Sequence, residues 1–554
     1  MRLRTRSSLS GALLFAAASA ALGCQGGLDA PPAPSQQSYT PGPAVLPRLT
    51  EAQYRASVED ALGNGEGALP RLTLEPDTNP YLFYNVGAAS TTLSEVGTER
   101  YEASAHAIAE AVILDATRRR ALIGCEPMTP GDACVASAIT TLGRRLYRRP
   151  LTTEEVTRWR GIATEHAEGN ALQGLRLALA GMLQSASFLY RVELGEPDAS
   201  RAGWRRYSDL ELASRISFLL WNTGPDDALL DAALAGRLAT EDGIHAEAMR
   251  MLEDPRARRA VRAFFAQYFD LARLNDVSER DAMLHPLFTQ TLAPAMRTEI
   301  ELLVDDVVFT RDVDVRELLR TRRTFVNSEL AQLYELNVPN TTPITFVPVE
   351  LPQDGPRAGI LTLGAFLMAN AHPTETSPTL RGKYIRERLL CDLIPAPPAG
   401  VVTEIPEPTG VARTLRERLE QHRSNPSCAT CHAVVDPPGY LFEGFDSIGR
   451  ARTLDHGYPI DSSGGLDEVP LANGRELGEF LAEDPRVSRC IARQLFRHAN
   501  GRLERDGEEV AVRNLGQEFL LGGSHFTDLL LAIVTHESFR YAAPQSGADT
   551  GSEP

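Results

Sequence analysis

The sequence predicts a mainly α protein built of several helical domains, and three observations carry that expectation. Apolar residues recur at helical spacing through most of the chain, behind Ser and Thr residues placed to cap helices. One helical unit occurs twice. The only clear alternating pattern, with Ile344, Phe346 and Val349 among prolines, is confined to Asn340–Pro352 and predicts a short extended segment or hairpin.

Size and charge narrow the function classes. At 554 residues the chain is too long for one core. Its 43% hydrophobic and 23% charged residues suit a soluble globular protein. A net charge of -17 argues against a nucleic-acid partner, which would call for a basic face to neutralise phosphates. Lys383 is the only lysine, a bias we assign to codon usage. No Ser/His/Asp order, P-loop or zincin motif appears, so hydrolytic and nucleotide-dependent chemistry have no warrant.

Residues 1–24 read as a lipoprotein signal peptide. Arg2, Arg4 and Arg6 precede an apolar run from Leu9 to Leu22 that is too short for a stable membrane span. It ends Ala21-Leu22-Gly23-Cys24, similar to a bacterial lipobox with its Leu one position late, and makes Cys24 the expected lipidated residue. Gln25, in place of Asp, favours the outer membrane, facing the periplasm or the cell surface; the membrane would be engaged through the N-terminal lipid only. Residues 25–45 form a Pro/Ser/Gln/Gly-rich tether.

Ordered sequence begins with a domain expected over 46–134. Thr50 is placed to cap a helix carrying Tyr54, Val58 and Leu62, and a second helix is expected from Glu99 to Leu122. The first copy of the repeated unit occupies 135–196. Its Gly143-Arg144-Arg145-Leu146-Tyr147-Arg148-Arg149 matches Ala492-Arg493-Gln494-Leu495-Phe496-Arg497-His498, and Ser187-Phe188 matches Ser538-Phe539, in a second copy over 470–541. Between them a central helical domain spans 204–337, with Ser208 as a cap and Phe264, Phe265, Tyr268 and Phe269 as core. A short extended linker (338–357), a haem-attachment domain (358–455) and a disordered tail (542–554) complete the division.

The chemistry concentrates at Cys428-Ala429-Thr430-Cys431-His432. C-x-x-C-H is the spacing at which two thiols add to the two vinyl groups of one haem while the following His ligates the iron. One covalently bound haem c is therefore the expected cofactor. A Cys428–Cys431 disulfide staple and a zinc site drawing on further cysteines are the competing readings; an oxidising compartment and a single C-x-x-C make zinc the weakest. With Cys24 lipidated and two thiols on haem, four cysteines remain. Cys125 and Cys134 flank a Pro/Gly loop and are candidates for a local bridge, and Cys391 and Cys490 for a long one; four cysteines allow three pairings, and spacing does not choose.

With Leu49-Thr50-Glu51-Ala52-Gln53-Tyr54, Leu146-Tyr147-Arg148-Arg149-Pro150-Leu151-Thr152, Trp221 with Pro225-Asp226-Asp227, His372-Pro373 with Thr376-Ser377-Pro378, and the run from Cys428 to Arg450, the chain resembles the planctomycete-type multidomain cytochrome family, from about Leu46 to Tyr541. The resemblance implies a domain order, mostly helical folds, a cytochrome-c-like haem segment and no substrate.

The second iron ligand is open. No Met follows Cys431. His372, in the motif that the resemblance marks, ranks ahead of Met368, His456, His498, His525 and His536, and His498 is expected to face solvent. Tyr440, Phe442 and Phe445 are candidates to line the haem pocket, and Asp436 and Asp446 to hydrogen-bond His432, against an equal expectation of turn chemistry. The leading functional expectation is an exported, membrane-anchored haem protein passing electrons to an unidentified redox partner. A haem-dependent oxidoreductase and a non-redox interaction protein stapled at Cys428–Cys431 are the alternatives.

Overall fold

Most of the chain is helical, with a few short antiparallel strands, in the computed structural model, which describes residues 39–63, 69–276, 280, 283–395, 413–424 and 426–544. The signal peptide, Cys24, most of the tether and most of the tail lie outside the described residues. The described residues, which begin at Tyr39, fall in one compact unit. Among the described residues no helix is long and apolar enough to cross a membrane.

Local capping explains many of the helix starts. Thr50 and Gln53 cap each other's backbone at the head of Glu51–Leu62, and Ser208 and Glu211 do the same for Asp209–Leu220. The helix expected over Glu99–Leu122 is two, Glu95–Leu114 and Ala116–Ile123. Asp115 divides them because its carboxylate accepts from Thr117 and Arg118 and so opens a new helix.

The two expected copies carry the same order of helices. Copy one runs Ala133–Tyr147, Thr153–Glu165, Ala171–Gln184 and Ala186–Leu189; copy two runs Pro485–Asn500, Glu509–Leu521, Phe526–Thr535 and Glu537–Arg540. Equivalent residues cap the last short helix in each. Ser185 accepts from the Ser187 amide and His536 from the Ser538 amide, and the following Phe188 and Phe539 are fully buried.

Copy one and the N-terminal helices share one apolar core, joined by Phe218; a larger core unites the central domain, the segment after residue 357 and copy two. A buried ionic cluster also links the two copies. Arg215 pairs with Glu193 at 2.8 Å and donates to Asn500 at 3.1 Å and to the Phe539 carbonyl at 3.0 Å.

The predicted β segment supplies Val347–Glu350, whose partner is Arg323–Val326 from the expected helical domain. Thr324 turns this strand inward and donates to the buried Glu299 at 2.7 Å. Glu196–Pro197, Arg205–Arg206 and Tyr541–Ala542 form a small antiparallel sheet that fastens the end of copy two beside the end of copy one. Disulfides join Cys125 to Cys134 and Cys391 to Cys490.

Candidate functional site

Cys428, Cys431 and His432 lie on one helix, Pro426–Tyr440. Their spacing of i, i+3 and i+4 places them on one face. The structure has no Cys428–Cys431 disulfide, so the staple reading is not what it has. Cys428 is buried and Cys431 partly exposed.

The helix is longer than its sequence suggests. Asp436-Pro437-Pro438-Gly439 reads as a turn, yet the helix continues through both prolines to Tyr440. The prolines leave the Ala433 and Val434 carbonyls without their usual helical donors. Tight packing on the helix Pro378–Tyr384, which begins at the Thr-Ser-Pro motif, holds the helical path. A Cβ on Gly382 would come within 1.6 Å of the Val435 carbonyl oxygen, and one on Gly439 within 1.8 Å of that of Pro378. Only glycine permits that approach.

The same crossing orients His432. Its Nδ1 lies 3.0 and 3.1 Å from the two carboxylate oxygens of Asp436, which is wholly buried. Facing a carboxylate, Nδ1 carries the proton and Nε2 keeps the lone pair. Thr379, from the crossing helix, donates to Asp436 at 2.8 Å. Asp436 thus performs the expected hydrogen bond to His432. Asp446 does turn chemistry instead, accepting from the Ile448 and Arg450 amides.

Behind the crossing, Arg381 is fully buried and donates to the carbonyls of Phe442, Leu367 and Asp446. Glu443 accepts from Thr376 and pairs with Arg452. These contacts tie the Thr376-Ser377-Pro378 motif to the run after Cys431. Burial lowers the Arg381 guanidinium to about 10 and raises the Glu443 carboxyl.

Tyr440 packs with Leu415 and Leu419 in a small separate cluster, beneath the Arg416 guanidinium. Phe442 and Phe445 belong to the large core, Phe445 with Arg357 over its ring.

The histidines are dispersed. His372 is exposed in a turn closed by its amide to Glu375, with its carbonyl held by Arg280. His456 pairs with Asp455, His525 with Asp312, and His536 caps its helix. His498 is not solvent-facing as expected. Its ring packs edge-on against the stacked pair Phe83 and Phe264, and burial pushes its imidazole down to about 3. Met368 is buried in the large core. The ring beside His432 is that of His422, with centroids 5.1 Å apart and planes at 72°. Sequence reasoning did not nominate His422. The available signal was its place as the last residue of the capped helix that leads into the motif.

Five family models match the chain, each described as a protein of unknown function: DUF1587 over 48–114, DUF1595 over 134–193, DUF1592 over 207–336, DUF1588 over 357–455 and DUF1585 over 468–539. These five are domains of the planctomycete cytochrome c-type multidomain family. The motif helix and the helix that crosses it both fall in the DUF1588 domain, and the repeat copies are the DUF1595 and DUF1585 domains. No curated protein and no solved structure matches the chain.

Proposed function

We propose that this is an exported c-type haem protein that transfers electrons outside the cytoplasm, anchored to the outer membrane by lipid at Cys24. The observation that supports it best is the geometry of the motif. Cys428, Cys431 and His432 share one face of the helix Pro426–Tyr440, and the buried Asp436 holds His432 through Nδ1.

The donor set fits haem c. Cys428 and Cys431 would hold the group covalently, each thiol adding across one vinyl group with its proton going to the neighbouring vinyl carbon. His432 would offer Nε2 as the ligand because Asp436 occupies Nδ1, the arrangement that fixes a ligand's tautomer and raises its basicity. The haem would supply a one-electron iron couple. The chain's own part is to hold His432 rigidly through Asp436 and Thr379. The family resemblance, cytochrome-like in name, agrees with this reading.

Protein matured with the periplasmic haem-attachment system should give one c-type haem per chain in a pyridine haemochrome assay, and none with Cys428→Ala and Cys431→Ala together. A colourless protein would overturn the reading. Labelled palmitate lost on Cys24→Ser tests the anchor separately.

A further inference from the structure

We propose that His422 is the second axial ligand of the haem iron. The proposal rests on the haem reading above and deepens it. His432 commits Nδ1 to Asp436, so only its Nε2 side is open to a metal. Beside that ring lies the imidazole of His422, at 5.1 Å between ring centres. A metal-bound imidazole nitrogen sits about 2 Å from the metal, with its ring centre roughly 1 Å further out. Two imidazoles on opposite sides of one iron therefore have centres about 6 Å apart. The spacing in the structure is within about an ångström of that, a difference of the size side-chain rotation supplies.

His422 is also delivered by a well-held element. Thr414 and Glu417 cap each other at the start of Leu415–His422. The Leu415 amide donates to Asp455 at 2.7 Å, and Arg418 pairs with Glu375 at 2.7 Å. Arg418 stands one turn before His422, so the turn carrying His372 is fastened to this same helix, with His372 itself exposed. The downstream histidines are occupied elsewhere: His456 with Asp455, His525 with Asp312, His536 at its cap, and His498 against the stacked Phe83 and Phe264. No methionine follows the motif. Two filled axial positions change little between oxidation states, which suits an electron carrier rather than an oxygen- or peroxide-activating enzyme.

The test compares spin states in the full-length haem-loaded protein. The unmodified ferric protein should be low-spin, and His422→Ala should turn high-spin, with its ferrous form binding carbon monoxide rapidly. Added imidazole should restore the low-spin spectrum of His422→Ala, which separates a lost ligand from a damaged fold. His372→Ala should stay low-spin. A low-spin His422→Ala, a high-spin unmodified protein, or a change on His372→Ala alone would each overturn the assignment. Absence of covalent haem in the pyridine assay would instead sink the haem reading itself, and this assignment with it.

Discussion

Asp436 meets His432 with both carboxylate oxygens, at 3.0 and 3.1 Å from Nδ1, one helical turn further along the same helix and with no exposure to water. A buried carboxylate at this position pushes electron density toward Nε2 and favours the more highly charged state of a bound metal. Asp436→Asn keeps the shape and removes the charge. In the haem-loaded protein the midpoint potential should therefore rise. A tenfold relative loss of ferric over ferrous stabilisation corresponds to about 59 mV. Thr379→Val, which removes a hydroxyl that draws charge from the Asp436 carboxylate, should shift it by less and in the opposite direction. Redox titration followed by visible absorbance measures both, and an unchanged potential in Asp436→Asn would sever Asp436 from the iron.

The close crossing behind that pair makes a stability prediction independent of haem. A methyl group at Gly382 or Gly439 meets a backbone carbonyl oxygen, at 1.6 and 1.8 Å, and backbone cannot turn aside as a side chain can. Gly382→Ala and Gly439→Ala should each cost about 1–3 kcal/mol or more, the range for overpacked sites. Gly131→Ala, where nothing lies within 4 Å of the added carbon, is the control. Urea unfolding of the three variants decides it.

The fold and the motif helix were legible in different degrees. Helices announced themselves through caps such as Thr50 and Ser208, because capping is a local contact between residues three apart. The repeat was legible because its copies keep the same buried positions, down to Phe188 and Phe539. The continuation of the motif helix through Pro437 and Pro438 was not, because the packing that enforces it comes from Pro378–Tyr384, more than forty residues away. The same distance hid the role of Thr379, whose partner Asp436 is 57 positions along the chain. His422 was missed because it stands ten positions before His432 on another helix, a spacing from which the contact of the two rings cannot be read.

Glu299 should give the protein a pH-dependent stability. Its carboxyl is wholly buried, accepts from Thr324 and Tyr334 at 2.7 Å each, and is pushed by burial up to about 7. In the unfolded chain it titrates near the ordinary value of 4.5. Between these values the folded state binds more protons than the unfolded, so stability falls as pH rises from about 4.5 to about 7. The loss attributable to this residue is of the order of 3 kcal/mol. Glu299→Gln should remove that contribution, so the stability difference between variant and parent should grow in the variant's favour from pH 4.5 to pH 7. Denaturant midpoints for the two proteins across this range, showing parallel curves, would place the titration elsewhere.

The two disulfides should differ in what they contribute. Cys125–Cys134 closes a chain separation of 9, and Cys391–Cys490 one of 99. In the chain-entropy account the short loop is worth about 2.7 kcal/mol and the long one about 4.7 kcal/mol. Their positions separate them further. Cys391 follows directly on the helical run that crosses the motif helix, and Cys490 lies in the first helix of the second repeat copy. Opening the long bridge therefore loosens the element that carries Thr379 and Gly382, and with it the support of Asp436. The double replacement Cys391→Ser with Cys490→Ser should lower the unfolding midpoint more than Cys125→Ser with Cys134→Ser. It should also broaden the distribution of midpoint potentials in haem-loaded protein, because His432 is then less firmly oriented. Equal losses of stability, with an unchanged redox titration, would show that the second repeat copy stays docked through its apolar core alone.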